Sequence, residues 1–425
     1  MHALRRERLE NGLPVIFAPL PHLHTVQVVF SVRAGSRFES PRDSGLSHVV
    51  EHMLFRGSEA RPSSAALNLA VEEIGGTLEA ATHVDFTELS LSLPASQLEE
   101  GLVRLAEIVA APVFADFEVE KKILREELLD DLDDEGRDVD VDNFARRRLF
   151  GSHPLGQSIT GPIDNVMGFS VDDLRRHHQA HYTAKNSALA IAGAFSVDEA
   201  ADVVRRAFSR LPAGARILPE PAPSELPRTR FHALKHSDSQ TDVRVSYLTP
   251  GEHDPSAIAL HLVEHLIDGG MSARLHERVI DRLGLAYYAF ANLDPYEDCG
   301  VFDLGATVAH ENVPAIVEAF LTLMEDLARE PVPEDELARI KQRYLWGLEA
   351  LLDDAASLAA YYATNAIFDK PWTLESLTEA VRRVDAEEIH GLAARLFSRD
   401  RAFVSCVGIV GDRRAKKIKT ALGLA

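Results

Sequence analysis

Five residues, His48-Val49-Val50-Glu51-His52, carry the densest chemistry in the chain. Two histidines four apart on a helix project from one face, one turn above the other. That spacing lets two imidazole nitrogens reach a single tetrahedral metal ion. Glu51 follows His48 by three, shares the face, and can lie beside a metal-bound water. The order H-x-x-E-H inverts the commoner H-E-x-x-H. A catalytic metal of this kind keeps three protein ligands and one open position, so a third ligand is required. The run FEVEKKILREELLDDLDD supplies the candidate. Phe117, Ile123, Leu124 and Leu128 give it an apolar helical stripe. Glu120 and Glu127, seven apart, share a helix face. We assign Glu127 as the third ligand and Glu120 as the acceptor that orients a ligating histidine. The competing reading is a solvated acidic face, because seven of residues 126–135 are Asp or Glu.

The surroundings of these residues resemble the pitrilysin/insulinase family of inverted-zinc metallopeptidases. The likeness is to its short branch, which includes mitochondrial processing peptidase subunits and bacterial two-subunit zinc proteases. In the first half the matching stretches are NGLPVIF, SVRAGSRFESPRDSGLSHVVEHMLFRGS, GGTLEAATHVDFTELSLSL, EVEKKILREEL, HPLGQSITGPIDNV and HYTAKNSALAIAGAF. In the second half they are HSDSQTDVRVSYLTP, GGMSARLHERVIDRLGLAYYAF and PEDELARIKQRYL. Glu127 follows His52 by 75 residues, as the family's distal glutamate does, and Glu120 precedes it by seven.

The resemblance implies an α+β fold of two homologous halves. Each half is a mostly antiparallel sheet packed against helices, and the chain forms one bowl-shaped half of a dimeric chamber. It implies one zinc per chain at His48, His52 and Glu127, with Glu51 moving the proton. The implied activity is endo-type hydrolysis of peptides or unfolded polypeptides. In the family, the strand reading G-G-x-x-N-A-x-T lies at a sheet edge and receives the substrate as an added strand. Here that run is Gly75 to Thr82, with Glu79 in place of the asparagine and Ala80 beside it. Glu79 would then favour a basic substrate side chain; a solvent-facing edge charge that blocks aggregation is the alternative. Active relatives also carry an arginine seven residues before a tyrosine in the C-terminal half, and this pair holds the substrate. Tyr287 is present, but Ile280 stands where the arginine belongs. The missing arginine implies a heterodimer with a sister subunit that bears the pair; a homodimer is the other arrangement. A non-proteolytic scaffold or regulatory subunit is the competing function.

Composition narrows the field. The net charge of −21 disfavours nucleic acid, whose phosphates demand a basic surface. An apolar fraction of 46% over 425 residues is ample for two core-bearing units. Cys299 and Cys406 are too few for a disulfide framework or a thiolate zinc site, and Cys406 reads as a buried, inert thiol. No apolar run reaches the roughly 18 residues of a membrane-spanning helix, and no secretory leader is legible. The expectation is a cytoplasmic protein that neither enters a membrane nor binds nucleic acid.

Five prolines fall in residues 211–230, which reads as a surface linker. The expected organisation is a zinc-binding domain over 1–212, a linker over 213–229, and a homologous non-zinc domain over 230–425. The halves echo each other. TVQVVFSVRAG and TDVRVSYLTPG open them, and SALAIAGAF and AFVSCVGIVG close them. A second H-x-x-E-H, His261 to His265, occupies the position equivalent to the first. Aligning EVEKKILREELL with EDELARIKQRYL sets Glu120 against Glu336 and Glu127 against Arg343. A cation at the ligand position opposes metal binding, so this copy reads as vestigial or structural.

Overall fold

The computed structural model describes residues 4–370 and 372–424. They form two compact units, each with its own sheet. The sheet of unit 1 holds β1 (Arg5–Arg8), β2 (Pro14–Pro19), β3 (Thr25–Val32), β4 (Thr77–Thr82), β5 (Thr87–Pro94) and β6 (Ser187–Gly193). Their order is β1-β2-β6-β3-β5-β4, with β2 and β6 parallel and every other pair antiparallel. The sheet of unit 2 holds β7 (Phe231–Leu234), β8 (Thr241–Pro250), β9 (Ala289–Pro295), β10 (Cys299–Val308) and β11 (Phe403–Val407). Their order is β7-β11-β8-β10-β9, again with one parallel pair, β7 and β11. Leaving β1 aside, the two sheets share order and pairing sense. The weak echo between the halves is a repeated topology, and the expected α+β architecture holds.

Sequence pattern accounts for the strands. β6, SALAIAG, is buried along its whole length, as a central strand covered on both faces should be. β5 alternates buried and half-buried residues with the period of two expected of TELSLSL. β4 and β9 are edge strands, one in each sheet.

The units are not contiguous in sequence. Unit 1 runs up to Asp130 and adds Gln157–Glu220 and Glu349–Pro371; unit 2 takes Asp131–Gly156, Pro221–Leu348 and the chain from Trp372 onward. The helix Ala355–Ile367 therefore packs on β3 and β6, and the helix Val141–Phe150 packs on β8 and β11. The contiguous blocks expected from sequence did not contain this exchange. Periodicity shows that a helix has an apolar face but not which sheet that face will cover. In unit 2 the exchanged helix is anchored by Arg146, a buried guanidinium paired with Asp294 and Asp303.

Residues 211–230 have no regular secondary structure, as their prolines predict. The first part is nevertheless pinned to unit 1. Ile217 N donates to Asn186 Oδ1 (2.9 Å), and Arg33 and Arg37 donate to the carbonyls of Ile217 (3.0 Å) and Glu220 (3.2 Å). Both cysteines are buried, and burial pushes the Cys406 thiol up to about 12. Among the described residues no helix is long and apolar enough to cross a membrane.

Candidate metal centre

The H-x-x-E-H sequence lies on the helix Leu46–Leu54, the motif helix. Val49, Val50, Met53 and Leu54 turn into the core of unit 1, which leaves His48, Glu51 and His52 on the remaining face. The helix starts sharply. Gly45 has φ of 97°, and a Cβ there would sit 2.6 Å from the Thr160 carbonyl, so the position requires glycine. Glu39 accepts from Gly45 N (2.8 Å) and Ser47 N (2.6 Å), placing a carboxylate at the positive end of the helix. Burial works against that charge and pushes Glu39 up to about 7.

Glu127 comes from the helix Phe117–Asp130, the glutamate helix. Phe117, Leu124 and Leu128 are buried, and Glu120 is buried with them. Ile123, expected on the same stripe, is instead 49% exposed. Each residue turns the helix by about 100°, so position 123 cannot share the line through 117, 124 and 128.

The two helices bring the predicted ligands together. His48 Nε2 lies 3.4 Å from Glu127 Oε1, and His52 Nε2 lies 3.5 Å from Glu127 Oε2. One ligand atom from each of the three residues lies within 4.8 Å of the other two, the one such group among the described residues. Two ligands of a tetrahedral zinc, each about 2.0–2.1 Å from it, stand about 3.4 Å apart. The donor set of two imidazoles and one carboxylate fits that ion. Glu120 Oε1 accepts from His52 Nδ1 at 2.9 Å, which fixes the tautomer and turns Nε2 toward Glu127. Arg56 holds the other oxygen of Glu120. The buried Nδ1 of His48 meets no protein partner.

The electrostatics favour a cation. Burial disfavours charge on His52, yet the Glu120 hydrogen bond and the charges of Glu127 and Glu51 prevail and raise its pKa. His48 bonds to Glu127 and lowers its pKa, against the opposing effect of burial. Burial raises Glu120, but His52 and Arg56 together pull it below the usual carboxylate range.

Glu51 stands beside this group and is held by the Thr82 hydroxyl, which donates to Oε2 at 2.5 Å. Thr82 ends β4, so the edge strand and the motif glutamate are tied directly. The sequence reading quoted Thr82 but gave it no role; no spacing rule links a strand residue to a helix 31 positions away. Ala80 lies half-buried on β4 against the core, and Glu79 is exposed on the alternate face. Tyr287 is fully exposed and belongs to unit 2, as does Ile280. The flanking arginines are engaged elsewhere, Arg278 with Asp326 and Arg282 with Glu277.

The second motif lies on the helix Ala257–Asp268 of unit 2 and is arranged differently. His261 Nε2 bonds to Glu252 at 3.1 Å, and His265 Nδ1 donates to the His261 carbonyl at 3.1 Å. Glu336 makes a two-pronged pair with Arg274 (2.9 and 2.6 Å). Burial alone would lower the His261 pKa, but Glu252 and Glu264 raise it to about 9.

Comparison with known proteins places this geometry. Residues 15–163 match the model of the insulinase family (peptidase family M16), and residues 168–344 match that of the peptidase M16 inactive domain. The chain belongs to the insulinase family, peptidase family M16. An uncharacterized zinc protease of Mycobacterium tuberculosis is 29% identical over 97% of this chain and 95% of its own length. One of Rickettsia bellii is 28% identical over 92% of this chain and 94% of its own. A protease from Helicobacter pylori superposes with a TM-score of 0.86 at 19% identity, covering 96% of this chain and 100% of that one. A peptidase M16 inactive domain from Pseudomonas fluorescens gives the same TM-score at 19% identity, covering 95% and 98%. At these identities the likeness is one of fold. A protease and an inactive domain superpose equally well, so activity must be argued from the site.

Proposed function

We propose that this M16-family chain is a zinc-dependent endopeptidase, the zinc-bearing subunit of a two-subunit enzyme. The observation that carries the reading is the convergence of His48, His52 and Glu127, with Glu51 beside them. One zinc per chain would be held by those three side chains. When bound, it supplies a Lewis acid that polarises a carbonyl and acidifies water. The remaining roles belong to the chain. Glu51, steadied by Thr82, takes a proton from the attacking water and passes it to the leaving amine. Glu120 holds His52 in the ligating tautomer. A peptide lies as an added strand on the open edge of β4, where backbone hydrogen bonds supply affinity with little sequence selectivity. Near Glu79 a basic substrate side chain is favoured.

A donor that stabilises the oxyanion must come from a facing chain, where Tyr287 would act with an arginine. Ile280 removes that arginine from a homodimer. A sister subunit with the arginine–tyrosine pair and no zinc motif completes the site. Ile280 also favours a second reading, a non-proteolytic scaffold. The two are separated by hydrolysis of a quenched fluorescent peptide. The test compares the zinc-loaded chain alone, the Ile280→Arg variant, and a mixture with a candidate sister subunit. Hydrolysis restored in either of the latter two supports the peptidase. Zinc bound without turnover in all three supports the scaffold. High turnover by the chain alone, abolished by a chelator, removes the need for a sister subunit.

A further inference from the structure

The second H-x-x-E-H is left without a role by the metal reading, and its carboxylate is not idle. Tyr296 N donates to Cys299 O at 2.8 Å, which sets the phase of the β9–β10 hairpin. With that phase, Ala289, Ala291 and Leu293 turn their backbone groups to the open side of β9. Two of those outward N–H groups are already taken. Leu293 N donates to Glu264 Oε1 at 3.0 Å, and Ala291 N donates to Asp268 Oδ2 at 2.9 Å. Glu264 and Asp268 sit one turn apart on the helix Ala257–Asp268. Their oxygens stand where the carbonyls of an added strand would have to come, and a carboxylate is the stronger acceptor.

Unit 1 differs at both places. His83 N donates to Phe86 O at 2.7 Å, so Leu78, Ala80 and Thr82 face outward on β4. Glu51, the counterpart of Glu264, is bound to the Thr82 hydroxyl. Four residues on, where unit 2 has Asp268, unit 1 has Phe55, whose side chain accepts nothing. Among the described residues no acceptor meets the amides of Leu78 or Ala80. One edge is open and the other is capped at two successive outward positions.

We propose that Glu264 and Asp268 seal the edge of β9 against strand addition, so that a peptide strand is admitted at β4 alone. The second motif is then retained as a plug that prevents unproductive pairing, both with substrate and with other exposed edges. The inference rests on the strand-addition reading given under Proposed function.

The test uses the full chain carrying Glu51→Gln, so that a ten-residue peptide is bound and not cut. Backbone hydrogen exchange is followed over residues 77–82 and 289–295. With the seal intact, peptide slows exchange in the first segment only. In a Glu264→Ala/Asp268→Ala variant, loss of two charge-assisted bonds speeds exchange at Ala291 and Leu293 by about tenfold or more, and peptide now protects 289–295 as well. Glu264→Gln/Asp268→Asn keeps an acceptor oxygen at each place and stays closed. Should the double alanine variant not fold, Asp268→Phe copies the unit 1 residue and frees Ala291 alone. Peptide protection of 289–295 with the seal intact overturns the proposal. So does an opened edge that gains no protection. Protection of 289–295 in the opened variant with none at 77–82 upholds the seal and sinks the strand-addition reading of unit 1 instead.

Discussion

Units 1 and 2 carry the same five-position pattern on equivalent helices behind sheets of the same strand order. What separates them arrives from elsewhere in the chain. The glutamate helix brings Glu127 to His48 and His52, whereas the equivalent position in unit 2 is Arg343. Glu120 orients His52 in one unit, and its counterpart Glu336 pairs with Arg274 in the other. Glu51 is steadied by the Thr82 hydroxyl, whereas Glu264 holds the amide of Leu293 with one oxygen and faces His261 with the other. H-x-x-E-H is thus half a site. Its meaning is set by the residue that faces it.

The sharpest way to break this comparison is to make the same change in each glutamate. Glu51→Gln should keep zinc and lose at least about 10²-fold in peptide hydrolysis, the usual scale for a proton-transfer group. Glu264→Gln should leave the rate unchanged. Equal rates for Glu51→Gln and its parent would contradict the role given to Glu51. The orienting carboxylates come next. Glu120→Gln should weaken zinc binding by about 10–100-fold, as is usual for the partner of a ligating histidine. Competition with a chelating dye measures this, and Glu336→Gln should show no change. A smaller effect concerns pH. His261 has a folded pKa of about 9, above its ordinary 6.5. Its contribution to stability is full below pH 6.5 and is lost as the pH rises through about 9. The melting-temperature gap between the parent and His261→Gln should therefore narrow over that interval. A flat or widening gap would show that His261 is neutral in the fold.

Much of this was legible in the residues. The i, i+3, i+4 spacing put His48, Glu51 and His52 on one face, and the i, i+7 spacing paired Glu120 with Glu127. Arg343 set the second motif apart, and in unit 2 no group of His, Cys, Asp or Glu among the described residues is spaced to hold a metal. Local periodicity could not show the exchanged helices, because an apolar face does not name its partner sheet. Nor could it show Thr82 on Glu51, or Glu264 and Asp268 on β9. Those contacts join residues 23 to 31 positions apart, one through a hydroxyl and two through backbone amides that carry no sequence signature. Ile123 misled for a simpler reason, since an apolar residue one step off the stripe counts toward composition but not toward the buried line.

The central claim is that one of two matching motifs holds a metal, and metal content per chain tests it most directly. Elemental analysis of the zinc-loaded, desalted protein should give one zinc per chain. The account predicts none after His52→Ala and an unchanged value of one after His265→Ala. Two zincs in the parent, or one that leaves with His265→Ala, would contradict it.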